Sequence, residues 1–329
     1  GASGFIGGEL VRTLVGRGEQ VRVLARPSSN LDPIRHLGAE FVRGELDDPA
    51  GVDEAMSGIR SVFHCAGLAA DWGPWADFER SNVAAVENLL AAASRCPTLE
   101  RFLHVSTTDV YGYPRTVTDE TGPMKDVGYP YNRSKIMGER VVARYWRETG
   151  LPTTVIRPAT VFGPRSITFT AGLARLLIDE ELPLVGGGRA CAGLIYIDDL
   201  VNGMIDAATA FQAVGEVYNM RDPSHATWRD AILTLAAGLG VTKPLRSVPG
   251  SIAVAAAGVM ETIARVRRQE TRPLLTRHLV YTMIRDQCYP IDKAQRELWF
   301  TPKVGVELGL RQSVEWLHSP EGQAAVESV

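Results

Sequence analysis

The sequence predicts an α/β fold, a doubly wound parallel sheet with a smaller C-terminal α/β lobe. Three observations carry this. Strand-like apolar runs alternate with helix-like runs through the first half, a glycine-rich turn opens the chain, and 329 residues exceed one ordinary domain of about 100–200. The division falls near residue 160. Residues 1–160 form the sheet domain, and 161–329 form mainly the second lobe, with some segments returning to the first. Hydrophobic residues at 45% and charged ones at 22% are the balance of a soluble globular chain. The net charge of −3 gives no basic field for a nucleic-acid partner. The longest apolar stretch, Ser251 to Val259, is too short for an integral membrane span, and nothing resembles a signal peptide. Four scattered cysteines without a CxxC pair argue against a disulfide framework or a zinc ribbon and for a reducing, cytoplasmic setting.

Gly1-Ala2-Ser3-Gly4-Phe5-Ile6-Gly7 spaces its glycines as GxxGxxG. Leu10, Val11, Leu14 and Val15 then make one apolar helix face, which Gly16-Arg17-Gly18 ends. Missing Cβ atoms let the backbone of such a turn (Gly1, Ser3, Gly4, Phe5, Ile6, Gly7) approach a pyrophosphate at the positive end of a helix. A strand is expected before the turn, and because the chain opens on the turn itself, that strand is read as truncated. Glu19 to Arg26 is the next strand. At its end Arg26-Pro27-Ser28-Ser29-Asn30 offers a guanidinium, hydroxyls and an amide but no carboxylate. An acid there suits the ribose 2′-hydroxyl of NAD and an arginine the 2′-phosphate of NADP. The reading is NADP, with NAD as the alternative.

Three further strand–helix alternations follow: Glu40 to Leu46, Ser61 to Gly67 and Arg101 to Thr107, the last after a helix Asn82 to Ser94. Sheets of this Rossmann type bind ligands beyond the carboxyl ends of their strands, where each of these motifs lies. His64 and His104 sit inside apolar strands with no carboxylate cluster nearby, so they are read as buried, hydrogen-bonded residues, and no metal site is expected.

Tyr131-Asn132-Arg133-Ser134-Lys135 opens a helix, and the i, i+4 spacing puts phenol and ammonium on one face. A phenol titrates near ~10, and a neighbouring cation stabilises its anion. Ser106-Thr107-Thr108, at a strand end, supplies hydroxyls that could hold a carbonyl or alcohol against Tyr131.

Together these motifs resemble the extended short-chain dehydrogenase/reductase superfamily over essentially the whole chain. Gly1 to Gly7 matches TGxxGFxG without its threonine. Gly44-Glu45-Leu46-Asp47-Asp48 resembles GDLxD, whose acid and leucine flank the adenine, with Glu45 in place of Asp. His64-Cys65-Ala66-Gly67 resembles the segment under the ribose and pyrophosphate, and Asn82-Val83 with Asn88-Leu89-Leu90 the NVxGTxNLL helix. Val105 to Gly112 places the family's hydroxyl residue on Thr107, while Tyr131 and Lys135 fall on its acid/base and its partner. Arg157-Pro158-Ala159-Thr160-Val161-Phe162-Gly163-Pro164 resembles the loop passing the nicotinamide, and Ile195 to Asp199 the late IxVDD segment. The resemblance implies a cofactor site that includes Cys65, Ala66, Gly67, Val105, Tyr131, Lys135, Pro158, Ala159 and Val161, with Lys135 also bonding the nicotinamide ribose. It also implies a homodimer through two helices of the nucleotide half. The implied reaction is hydride transfer, with Thr107 orienting the substrate oxygen, Tyr131 moving the proton and Lys135 lowering the phenol's pKa.

Two branches of this superfamily compete. Dehydratases carry Asp-Glu after the threonine, where this chain has Thr108 and Asp109. Sugar-nucleotide enzymes often carry Arg-Asp before the late segment, where this chain has Ala192 and Gly193. Leu274-Leu275-Thr276-Arg277 and Tyr289-Pro290-Ile291-Asp292-Lys293-Ala294 resemble the branch of 3β-hydroxysteroid dehydrogenase and dihydroflavonol reductase. The expectation is an oxidoreductase for a small-molecule hydroxyl or ketone on a bulky apolar skeleton. A nucleotide-sugar epimerase or dehydratase is the alternative, and a nucleotide-binding regulatory module a third reading. Ser251 to Val266 is apolar and followed by arginines; such a helix packs on its own lobe, roofs an apolar pocket or rests on a membrane surface. Trp72 and Trp75 are assigned to the rim of the pocket.

Overall fold

A computed structural model of the chain describes residues 1–243, 245–269 and 271–329. The first half runs α1 (Phe5–Gly16), β1 (Arg22–Ala25), α2 (Asp32–Arg35), β2 (Glu40–Arg43), α3 (Pro49–Met56), β3 (Ser61–His64), α4 (Trp75–Glu79), α5 (Ala85–Ala93), β4 (Arg101–Val105), α6 (Pro130–Thr149) and β5 (Thr153–Pro158). The second half continues with β6 (Thr160–Phe162), α7 (Gly172–Ile178), β7 (Leu184–Val185), β8 (Leu194–Tyr196), α8 (Ile197–Thr209), β9 (Val217–Met220), α9 (Trp228–Gly238) and β10 (Ser247–Val248). Helices α10 (Gly250–Val266), α11 (Arg277–Ile284), α12 (Asp292–Leu298), α13 (Gly305–His318) and α14 (Pro320–Glu327) complete it.

All strand pairs are parallel. They stand as β1–β2, as β3–β4–β5–β9, and as two short pairs, β6–β8 and β7–β10. β9 returns to the first sheet from far along the chain, and α8 packs over β4 and β5. β4 and β5 are buried along their whole length, which is why they read as continuous runs rather than alternating ones. The strands are shorter than the apolar runs that signal them. β2 stops at Arg43, β3 at His64 and β4 at Val105, so Gly44–Leu46, Cys65–Gly67 and Ser106–Thr107 become loops at the carboxyl edge.

The expected buried histidines pair with each other. His64 and His104 face across β3 and β4 with Nδ1 atoms 2.9 Å apart. Their Nε2 atoms lack partners among the described residues. Burial lowers both imidazoles, His64 to about 3, so both are neutral.

The cysteines correct the sequence reading. Cys191 and Cys288, 97 residues apart, are disulfide-bonded with Cα atoms 5.9 Å apart, while Cys65 and Cys96 are free. Spacing rules look for near neighbours in sequence. Here the backbone bond from Gln287 N–H to the Cys191 carbonyl brings two distant segments together. His225 lies beside the pair, Nδ1 3.4 Å from the Cys288 sulfur. With the sulfurs bonded to each other, neither is a thiolate available to ligate a metal.

Candidate active site

The opening turn is closed to side chains. A Cβ on Gly1 would lie 2.3 Å from the Cys65 carbonyl carbon, and one on Gly7 would lie 2.2 Å from the Gly1 oxygen. Gly4 stands at the N-cap of α1, which has neither a capping side chain nor an acid in its first turn. The Phe5, Ile6 and Gly7 amides are therefore free for an anion at the positive helix end, with Ser3 and Gly4 exposed beside them. These residues fit a dinucleotide pyrophosphate.

Arg26 is exposed just past β1, and Arg43 Nη1 donates to its carbonyl at 2.9 Å. Among the described residues neither arginine is ion-paired. Sequence reasoning found Arg26 and missed Arg43, which reaches the same edge from β2. Glu45 is exposed next to it, and Leu46 is half-buried, its carbonyl bonded by Asn88 Nδ2 at 3.0 Å. The Cys65–Gly67 loop is clamped by Asn82. This buried amide accepts from Leu68 N–H (2.7 Å) and donates to the Leu68 carbonyl (3.0 Å) and Ser134 Oγ (2.9 Å). Pro158, Ala159 and Val161 lie at the end of β5 and in β6. The Ala159 N–H donates to the Met220 carbonyl at 3.0 Å.

Thr107, Tyr131 and Lys135 converge where β4 ends against the start of α6. Tyr129 is the N-cap of α6 and Pro130 its first residue, an order that suits Pro's fixed φ and missing N–H. Thr107 Oγ1 accepts from Asp109 N–H at 3.2 Å and caps the tight turn Thr108–Tyr111. Asn132 pins both sides, donating to the Asp109 carbonyl (2.6 Å) and the Lys125 carbonyl (3.1 Å). Burial raises the Tyr131 phenol above its ordinary value. The Asp109 carboxylate adds to this, and the Thr107 hydroxyl opposes it.

Lys135 is not among the groups that shift this phenol. Lys135 Nζ donates to the Val105 carbonyl at 2.7 Å, and burial pushes the amine down to about 8, against the pull of Glu139 and Cys65. The ammonium satisfies the strand's end carbonyl, because a buried cation needs a partner.

Beneath them lies a network that sequence reasoning missed. Arg157 and Glu139, both buried, pair through Nε at 2.9 Å and Nη2 at 2.6 Å. Glu139 also accepts from Ser106, and Arg157 Nη1 donates to Tyr111 Oη at 2.8 Å. Tyr111 in turn donates to Asn219 of β9 at 2.8 Å. Glu139 stands one turn beyond Lys135, so an acid on the inner face of that helix was the available signal.

Both halves of the chain contribute to an aromatic wall. Tyr113 is hydrogen-bonded to His278 of α11, and His278 Nε2 lies 3.9 Å from Asp109. The Tyr129 ring meets His278 at 5.6 Å, Tyr281 meets Tyr113 at 5.8 Å, and Tyr289 stacks on Tyr111 at 4.9 Å. Burial raises the Asp109 carboxyl, and His278 opposes that. Beside Tyr129 a cavity of about 360 Å³ is bounded by Asp71, Trp72, Pro130, Glu261 and Arg265. Trp72 thus lines this cavity, which includes none of Thr107, Tyr131 and Lys135. Trp75 instead lies under the Arg133 guanidinium, 5.5 Å from its ring centre. Asp199, in the late IxVDD match, accepts the Lys303, Val304 and Gly305 amides at 2.7, 3.1 and 3.0 Å and so anchors the start of α13.

A parallel sheet with a free-amide helix end, and a hydroxyl, phenol and ammonium at its carboxyl edge, defines a nicotinamide-dependent enzyme acting on hydroxyl or ketone groups. The chain belongs to the NAD dependent epimerase/dehydratase family, whose model matches residues 1–220. It is 31% identical over 334 residues to a 4-hydroxy-2-methyl-3-oxo-4-farnesyl-3,4-dihydroquinoline-1-oxide ketoreductase of Stigmatella aurantiaca, covering 99% of this chain and 97% of that one. A 2-alkyl-3-oxoalkanoate reductase of Stenotrophomonas maltophilia is 29% identical, with 95% and 96% covered. The crystal structure of gox2253 superposes with a TM-score of 0.80 at 27% identity, covering 96% of each chain.

Proposed function

We propose that this protein is an NADP-preferring ketoreductase for a bulky, largely apolar ketone, with Thr107, Tyr131 and Lys135 as its catalytic residues. The observation that carries the reading is the placing of Tyr131 at the start of α6 beside Thr107 and Asp109, the latter 3.9 Å from His278 of the aromatic wall, where burial and Asp109 raise the phenol. A neutral phenol can donate a proton to a carbonyl oxygen as that oxygen gains negative charge. The free amides of α1 and the Cys65–Gly67 loop would hold the dinucleotide, which supplies the hydride when bound. Thr107 would orient the substrate oxygen, Tyr131 deliver the proton to it, and Lys135, seated on the Val105 carbonyl, bond the nicotinamide ribose. Ketone, hydride and proton together balance to the alcohol. Arg26, with Arg43, is suited to a 2′-phosphate. Two relatives named for reduction of oxo compounds with alkyl or farnesyl chains support the substrate class. We place the enzyme in the cytoplasm on its need for regenerated reduced nicotinamide and not on its cysteines, two of which are bonded to each other, and as a homodimer through helices of the nucleotide half.

NADPH consumption is followed with long-chain 3-oxo compounds, a steroid ketone, and UDP- and dTDP-sugars. Net oxidation with apolar ketones is expected. Cofactor-neutral conversion of the sugars would instead make it an epimerase or dehydratase, and tight NADPH binding without turnover a regulatory module. The preference is tested with Arg26→Asp, which should lower the NADPH-over-NADH ratio of kcat/KM at least tenfold. An unchanged ratio would remove Arg26 from the cofactor site.

A further inference from the structure

Helix α10 is built inside out. Over its first fifteen residues the lone charge, Glu261, is 1% exposed, whereas Ile252, Val259 and Ile263 are 59%, 59% and 45% exposed. Glu261 is satisfied inside by the Arg277 N–H at 2.7 Å and its Nε at 2.9 Å, so the burial of the acid is fully compensated. The inward face consists of Ala253, Ala257, Glu261 and Ala264. Ile252, Val259, Ile263 and Val266 follow at spacings of seven, four and three, which places them on one outward face at 3.6 residues per turn. Val266 is 79% exposed, and Leu274 just beyond the helix is 74% exposed. The other exposed residues of the helix before Arg265 are Ser251, Ala255, Met260 and Thr262, all uncharged.

The edge of this face is cationic. Arg265, Arg267 and Arg268 follow at its C-terminal end and are all exposed. Arg265 reaches back to Glu261 at 3.4 Å and over the Trp72 ring at 5.6 Å. Arg267 and Arg268 have no ion partner among the described residues. A contiguous apolar patch marks an interaction surface, and arginines at its margin complement anionic headgroups in an interfacial helix. No helix among the described residues is long and apolar enough to cross a bilayer.

We infer that the outward face of α10 docks on an anionic lipid bilayer, with Ile252, Val259, Ile263 and Val266 in the acyl boundary and Arg267 and Arg268 at the headgroups. The inference concerns a surface apart from Tyr131 and is independent of the ketone reduced. The test is co-sedimentation of the full chain with vesicles of phosphatidylcholine alone and of phosphatidylcholine with 30% phosphatidylglycerol. Binding is expected to the anionic vesicles, at least tenfold tighter than to the neutral ones and weakened by salt. Val259→Glu/Ile263→Glu, and separately Arg267→Glu/Arg268→Glu, should each reduce it at least tenfold with unchanged thermal midpoints, since all four side chains are exposed. Absence of binding to anionic vesicles, or binding that both variants retain, overturns the inference. So does a dimer in light scattering that Val259→Glu/Ile263→Glu dissolves, because the face would then be an interface between two copies.

Discussion

Glu139 shows how much of a site can rest on one residue that never meets the substrate. Its carboxylate takes the Arg157 guanidinium and the Ser106 hydroxyl, and so ties α6 to the ends of β5 and β4, the platform under Thr107 and Tyr131. Both partners of this pair are 4% exposed. Removing one strands a buried charge, which costs about 3–5 kcal/mol, whereas replacing both with apolar groups can be much cheaper. Glu139→Gln should therefore lower urea-unfolding stability by about that amount, and Glu139→Leu/Arg157→Leu by less than Arg157→Leu alone. A loss under about 1 kcal/mol in Glu139→Gln would show that the network is not structural. The opening glycines, Tyr131, Lys135 and Thr107 were legible because each chemistry needs a fixed spacing within a few residues. Glu139 was half legible, on the right helix face but with its partner on a strand 18 residues later. Tyr113, His278 and Tyr289 were not legible, because only the fold brings them together.

At the scale of elements, the joint of β3 and β4 carries a pH dependence. His64 and His104 share a hydrogen bond between Nδ1 atoms, so one ring donates and the other accepts, and burial favours the neutral form of both. Their pKa values in the folded chain lie below the unfolded value, His64 at about 3. Between that value and about 6.5 the unfolded chain binds more protons. Stability is then fully present above about pH 6.5 and falls on acidification, by about 1.4 kcal/mol per unit for His64, with His104 acting in the same direction. Urea midpoints at pH 7.5 and 5.5 should differ accordingly, and a His64→Gln/His104→Gln variant should flatten the difference. Equal midpoints in the parent would mean that the rings are charged or accessible. The existence and order of these strands followed from apolar runs, but their ends did not. Gly44, Cys65 and Ser106 continue the apolar or small-residue pattern, and only ladder pairing decides where the strand stops.

Across the whole molecule, the second lobe is stitched to the first by contacts that no local pattern encodes. Asp71, in the loop after β3, binds Arg272 at 2.6 Å and Thr276 at 2.6 Å, and Trp72 Nε1 donates to the Gln269 carbonyl at 3.1 Å. Within the lobe, the Cys191–Cys288 bond fastens the segment leading to Tyr289, and thus one side of the aromatic wall, to the approach to β8. A cross-link closing a loop this long contributes about 2–5 kcal/mol. Cys288→Ser should lower the thermal midpoint, and reductant should lower it in the parent but leave the variant unchanged. Four titratable thiols in the unreduced, denatured parent would contradict the bond.

The central claim is that Tyr131 is a half-buried, neutral acid that protonates a ketone oxygen. Its most direct measurement is single-turnover NADPH oxidation with an accepted 3-oxo substrate in the parent and in Tyr131→Phe, alongside NADPH binding by fluorescence. The variant should bind NADPH like the parent and react roughly 10²–10⁴-fold more slowly, the usual worth of a positioned general acid. A Tyr131→Phe protein that turns over as fast as the parent would contradict the account.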